Sequence, residues 1–197
     1  KGLSDPVFSV PSGNFGNLTG GLLAAKMGMP ARHFIAATNV NDVVPRFLAG
    51  EEFEPKSSVQ TISNAMDVGN PSNFARIRSL FGESDEAIRE AIDGFSCNDE
   101  ETLETIMQVY DQYGYLACPH TAIGLRAAIQ HTGISDESLP MVTLATAHPV
   151  KFRDSIEPTL DIKINMPERL RECLDKPKRS VTINSRYDNF REFLLES

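Results

Sequence analysis

The chain has 197 residues, enough for one domain with a substantial core and a smaller second unit. Hydrophobic residues at 41% and charged residues at 23% fit a globular protein in water, and no apolar run approaches the ~20 residues that cross a bilayer. With 19 basic against 27 acidic residues the net charge is −8, which argues against a general binder of nucleic acid or anionic membrane and leaves room for a local anion pocket.

In chain order, PVFSV (Pro6 to Val10) reads as a short buried strand bounded by turn residues. Leu18 to Met27, with apolar Leu22, Leu23, Ala25 and Met27, fits a helix closed by Gly28 and Pro30. HFIAAT (His33 to Thr38) is expected as a second strand. NVNDVVPRFLAG then predicts a short helix capped near Asn41 and ended by Gly50, with Pro45 in its first turn. Strand, helix, strand, helix at this spacing implies a parallel α/β layer.

Glu51 to Asn73 is polar and turn-rich, a long excursion of the functional or mobile kind. FARIRSLFG, DEAIREAIDGF and DEETLETIMQVYDQYG give three helical patterns in a row. PHTAIGLRAAIQHTG adds a fourth, with Pro119 suited to a first turn and Gly133 to a C-terminal cap. PMVTLAT (Pro140 to Thr146) reads as a continuous strand of the buried parallel type and runs into AHPVKF. From Asp154 the pattern is less regular, with DNFREFLLES as a terminal helix. The expected organisation is a domain over 1–160 holding a helical excursion over 51–117, then a tail over 161–197.

Cys97, Cys118 and Cys173 are far apart and match no zinc or redox spacing, so free thiols in a reducing cytoplasm are expected. KGLSDP carries no apolar segment of the signal-peptide kind, and a start at Lys1 almost on the first strand is expected of a fragment or a processed chain.

The densest chemical signal is VPSGNFGNLTGG, where a strand turns into a helix through Gly13, Asn14, Phe15, Gly16 and Asn17. The first amides of a helix have no internal partner, and its dipole favours an anion there. Glycine lets backbone approach a ligand, and asparagine tolerates left-handed geometry while offering amide donors. Ser12 and Thr19 add hydroxyls. No GK[ST] follows, so this is not a P-loop, and glycines at 13, 16, 20 and 21 fail the dinucleotide spacing. On composition alone, phosphate binding and a purely geometric turn stand level.

Taken together, VPSGNFGNLTGGLLAAKMGMP, RHFIAATNVNDVVPRFL, SNAMDVGNPSNFARI and TAHPVKF resemble threonine synthase, in order and over Phe8 to about Phe152. The resemblance implies the C-terminal half of a pyridoxal 5'-phosphate enzyme with the tryptophan-synthase-β fold, a partial parallel sheet flanked by helices. It implies that Gly13, Asn14, Phe15, Gly16 and Asn17 cradle the cofactor phosphate and that Thr146 meets the pyridine nitrogen. It also implies conversion of O-phospho-L-homoserine and water to L-threonine and phosphate. In the family the Schiff-base lysine lies N-terminal to this stretch, and no lysine here stands in its motif. The expectation is therefore an incomplete site, inactive alone, whose partner is the N-terminal half of the same enzyme. No metal, nucleic acid or membrane partner is expected. Another β-replacing or dehydrating enzyme of the fold, or a non-catalytic binder of a phosphorylated metabolite, are the alternatives.

Further candidates have a bland reading beside the functional one. His120 and His148 suit acid–base work near a substrate phosphate, or a backbone bond at a turn. Lys151 suits a solvated or phosphate-pairing group rather than a substitute cofactor lysine. In the 61–73 loop Ser63, Asn64, Asp67 and Asn73 either face substrate or form Asx turns. Arg46, Arg76 and Arg78 offer a second phosphate site or surface charge.

Overall fold

In the computed structural model, which describes residues 5–134, 139–174 and 176–196, β1 (Val7–Pro11) and β2 (His33–Thr38) form the centre of a four-stranded sheet. β3 (Ile92–Ser96) flanks β2 and β4 (Met141–Thr143) flanks β1, so the order is β3-β2-β1-β4. Every pairing is parallel: Val7 sits opposite His33 and Met141, and Phe34 opposite Ile92.

Successive strand residues point to opposite faces, and the sequence fills both. Phe34 and Ala36 join one apolar cluster with Val10, Leu18, Leu22, Phe47, Phe74, Ile77 and Ile88. Ile35 and Ala37 join another with Val7, Met66, Cys97, Ile123 and Ala127. The first face is covered by α1 (Gly16–Lys26), α2 (Val43–Leu48), α3 (Phe74–Leu80) and α4 (Asp85–Ala91). α6 (Pro119–Ile134) covers the second, close against the sheet: the Ser9 hydroxyl donates to the Gly124 carbonyl at 2.7 Å. A third cluster of Ile106, Ala117, Ala122 and Ile156 ties α5 (Asp99–Tyr113) and α7 (Arg153–Leu160) to α6.

The sequence expectations for both central strands and α1 agree with these elements. Four details differ. α2 starts after Asp42, because the Asn41 side chain bonds Val59 rather than the helix. The expected helical run over 51–117 is broken by β3, which takes over directly where α4 ends. α6 continues through Gly133 to Ile134. β4 stops at Thr143, three residues short, and is an edge strand with Val142 partly open to solvent.

The chain divides into two units, Lys1–Ile164 and Asn165–Ser197. The second carries α8 (Glu168–Leu174) and α9 (Tyr187–Glu196), neither with a buried residue. Among the described residues no helix is long and apolar enough to cross a membrane.

Candidate functional site

β1 ends at Pro11, and Ser12 to Phe15 carry the chain into α1. Phe15 has φ 60°, a left-handed conformation that is rare for an aromatic residue. Its side chain is 3% exposed and belongs to the first apolar cluster, so burial holds the strained backbone in place. Thr19 reinforces it by donating its hydroxyl to the Phe15 carbonyl at 2.7 Å.

The two asparagines brace the turn. Asn17 Nδ2 donates to the Pro11 carbonyl at 2.9 Å, and its Oδ1 accepts from the Ser12 hydroxyl at 2.6 Å and the Leu18 amide at 2.9 Å. Asn14 pairs with Ser72, accepting from its amide at 2.6 Å and donating to its hydroxyl at 3.0 Å. The amide donors that the sequence suggested on these side chains, and the hydroxyls of Ser12 and Thr19, are thus committed within the protein. What remains is backbone. Among the described residues no acceptor meets the amides of Gly13, Asn14, Phe15, Gly16 and Asn17, and Asn14, Gly16 and Asn17 are exposed.

Gly13 has a second constraint. A Cβ there would lie 2.6 Å from Met66 Cα and 2.8 Å from the Ala65 carbonyl. The 61–67 segment therefore packs on the turn backbone to backbone. That segment is fixed in turn by a polar network on the end of β2. Asn39 Nδ2 donates to Thr61 Oγ1 at 2.8 Å, Ser63 Oγ at 3.0 Å and Asp67 Oδ1 at 2.8 Å. Thr61 also donates to Asp67 through its hydroxyl at 2.7 Å and its amide at 3.0 Å. Ser63 and Asp67 hence serve this network, while Asn64 lines a cavity of about 380 Å³ with Thr61, Asp99 and Lys151. Asn73 accepts from Arg76 on α3.

Thr146 lies on the loop that follows β4. The Leu144 amide donates to the Ser9 carbonyl at 3.0 Å, so this loop leaves the sheet at the same edge as the turn after β1. In parallel sheets the carboxyl ends of the strands are where ligands bind. Thr146 and His148 line a cavity of about 600 Å³ there, together with Ala145, Ala147, Tyr115 and Leu116. His148 also caps the following 3₁₀ turn, its Nδ1 accepting from the Val150 amide at 3.2 Å.

His120, in the first turn of α6, is only 5% exposed. Its ring packs edge-on against Phe152, with centroids 4.8 Å apart, and its Nδ1 faces Cys118 Sγ at 3.9 Å. Its Nε2 has no partner among the described residues. Burial holds its pKa below the ordinary 6.5, the Lys151 charge adds to this, and Asp67 and the Ser63 backbone oppose it. The imidazole is therefore neutral at neutral pH.

The three arginines do not assemble into a site. Arg46 pairs with Glu51, Arg78 pairs with Asp85 at 2.7 Å, and Arg76 stays on Asn73. Sequence reasoning missed a different cluster: Asp93 Oδ2 lies 3.1 Å from both His33 Nε2 and His131 Nδ1. Its members are 38 and 60 residues apart in the chain, and no local pattern announces them.

A strand-to-helix turn with unpartnered amides, on the carboxyl edge of a parallel α/β sheet, is an arrangement that suits an anion. The sequence pattern of the family described as "Pyridoxal-phosphate dependent enzyme" matches residues 3–147, and that described as "Threonine synthase, C-terminal" matches residues 121–194. The chain belongs to the pyridoxal-phosphate-dependent enzyme family, whose cofactor is pyridoxal 5'-phosphate. It is 43% identical over 190 residues to threonine synthase from Buchnera aphidicola subsp. Schizaphis graminum, covering 96% of this chain and 43% of that one. The crystal structure of threonine synthase from Escherichia coli superposes with a TM-score of 0.80 at 37% identity, over 98% of this chain and 44% of that one. Pyridoxal-phosphate-bound threonine synthase from Brucella melitensis gives 0.80 at 29% identity, over 97% and 46%. The chain thus spans less than half the length of each of these relatives.

Proposed function

We propose that the chain is the C-terminal part of a threonine synthase of the cytoplasm, which as a whole converts O-phospho-L-homoserine and water to L-threonine and phosphate. The observation that carries the reading is the turn: five consecutive amides without acceptors among the described residues, at the N-terminus of an eleven-residue helix, with Asn14, Gly16 and Asn17 exposed. This fits the phosphate of pyridoxal 5'-phosphate. The helix dipole adds to the amides, and no cation is needed.

In this reading the backbone N–H groups of Gly13, Asn14, Phe15, Gly16 and Asn17 bind the phosphate, and the side chains of Asn14 and Asn17 keep those amides aimed. Gly13 admits the 61–67 segment, which closes the turn from behind. The Thr146 hydroxyl meets the pyridine nitrogen. When bound, the cofactor supplies an electron sink for the substrate carbons, a more moderate one beside a hydroxyl than beside a carboxylate. His120, buried and neutral, holds a proton at one ring nitrogen without adding charge to the wall it shares with Ser63 and Phe152.

No lysine in these 197 residues stands in the family's cofactor-lysine motif, so the chain alone turns nothing over. Lys151 lines the cavity with Asp99 and Asp154 and remains a solvated charge. The test has two arms. A polypeptide joining this chain to the N-terminal half of a relative, loaded with cofactor, forms threonine from O-phosphohomoserine; no such activity would contradict the assignment. The 197-residue chain, incubated with cofactor and reduced with borohydride, carries no stable label. Labelling at Lys151, or threonine formation by the chain alone, would contradict its incompleteness.

A further inference from the structure

His148 has its two ring nitrogens assigned to different tasks by the fold. The Val150 amide donates to Nδ1 at 3.2 Å, which closes the first turn after Pro149. An acceptor nitrogen carries no proton, so in the neutral ring the proton sits on Nε2. The same side chain lines the cavity of about 600 Å³ that also holds Thr146. Among the described residues the ring makes no hydrogen bond besides the one with Val150.

We propose that His148 is a hydrogen-bond donor of the binding site, held in one tautomer by the Val150 amide, and that its Nε2–H meets an anionic oxygen of the phosphorylated amino-acid substrate. This rests on the reading of the site given above and adds a recognition residue to it. Capping fixes which nitrogen carries the proton, and the turn fixes where the ring lies. A donor prepared in this way loses little freedom when an anion arrives. Thr146, two residues earlier, lines the same cavity. Phosphate and carboxylate are both present on the substrate and share this chemistry.

Two substitutions separate the tasks. His148→Asn keeps an acceptor near the position of Nδ1 and is a good capping residue, but it has no group at Nε2. His148→Gln places an amide near Nε2 and gives up the cap. In the 197-residue chain, long-range proton–nitrogen correlation at about pH 8, where an ordinary imidazole is neutral, is expected to show His148 protonated on Nε2. A proton on Nδ1 would overturn the proposal without touching the cofactor assignment.

In the cofactor-loaded full-length polypeptide, His148→Asn is expected to raise KM for O-phosphohomoserine about tenfold or more, the usual loss for one bond to a charged group. Its kcat and cofactor content should hold. His148→Gln should recover part of KM while weakening the protection of the Val150 amide. Inhibition by inorganic phosphate and by L-threonine tells the sources apart: the inhibitor that weakens in His148→Asn carries the oxygen that Nε2–H meets. An unchanged KM with both inhibitors unaffected would overturn the proposal. A wild-type polypeptide that makes no threonine would instead overturn the underlying reading, and the tautomer measurement would stand apart from it.

Discussion

At the scale of single residues, the turn after β1 depends on contacts that leave no room for substitution. Gly13→Ala puts a Cβ 2.6 Å from Met66 Cα, against backbone that cannot rotate away. It should destabilise the chain by about 1–3 kcal/mol as an overpacking change and reduce cofactor binding more than stability alone predicts, as read by thermal melts and cofactor titration. Asn17→Ala removes three bracing bonds at once. Leaving the Pro11 carbonyl and Ser12 hydroxyl without that partner should cost about 1–3 kcal/mol and loosen the amides it aims. An Asn17→Ala chain as stable as wild type would contradict the bracing role.

Asp93 gives a prediction in pH. Contact with His33 is the largest cause holding its carboxyl below the ordinary 3.8, with His131 adding to it against the cost of burial. The folded state therefore takes up the proton less readily than the unfolded chain. That contribution is full above the ordinary range and is lost as pH falls through the lowered folded value. Denaturation of wild type and Asp93→Asn should diverge near neutral pH and converge in strong acid. A gap that stays constant across this range would show that the two histidines do not act on Asp93.

At the scale of elements, the excursion after α2 is attached to the sheet by side chains rather than by a strand. Asp67→Asn replaces an acceptor of several bonds with a group that must donate at one of its two positions. Amide exchange should then speed up through Thr61 and Met66, and the Gly13 turn beside them should loosen, while the centre of the sheet keeps its protection. Unchanged exchange in 61–67 would show that the network does not hold the segment.

The same scale explains what could be read in advance. β1, α1 and β2 have clear periods and clear stops, and the positive-φ Gly28 follows the end of α1 as Gly50 follows that of α2. β3 does not announce itself, because Ile92 continues the spacing of Ile88 on α4 and so looks like the next helical turn. Only pairing with Phe34 to Thr38 turns IDGFS into a strand. β4 is shorter than its apolar run because it has one neighbour and that pairing ends at Ser9. Of the candidate site, the turn residues were visible as a cluster. Which of their groups remain free was not, since Ser72, which pairs with Asn14, and Met66, which packs on Gly13, lie far along the chain.

At the scale of the whole molecule, the fold class followed from alternation of strand and helix, and the all-parallel sheet bears it out. The family resemblance, carried by four ordered segments, agrees with the match over residues 3–147. The sheet brings the Gly13–Asn17 turn, the Thr146 loop and the 61–67 segment to one edge, which is the arrangement that the proposed function requires. The central claim is that the turn's backbone amides hold the cofactor phosphate. Its most direct test is a titration of the nitrogen-labelled chain with pyridoxal 5'-phosphate, following the amide signals. Saturable shifts at Gly13, Asn14, Phe15, Gly16 and Asn17, absent in Gly13→Ala, are the predicted result. Shifts confined to lysines, or none at the turn, would contradict the account.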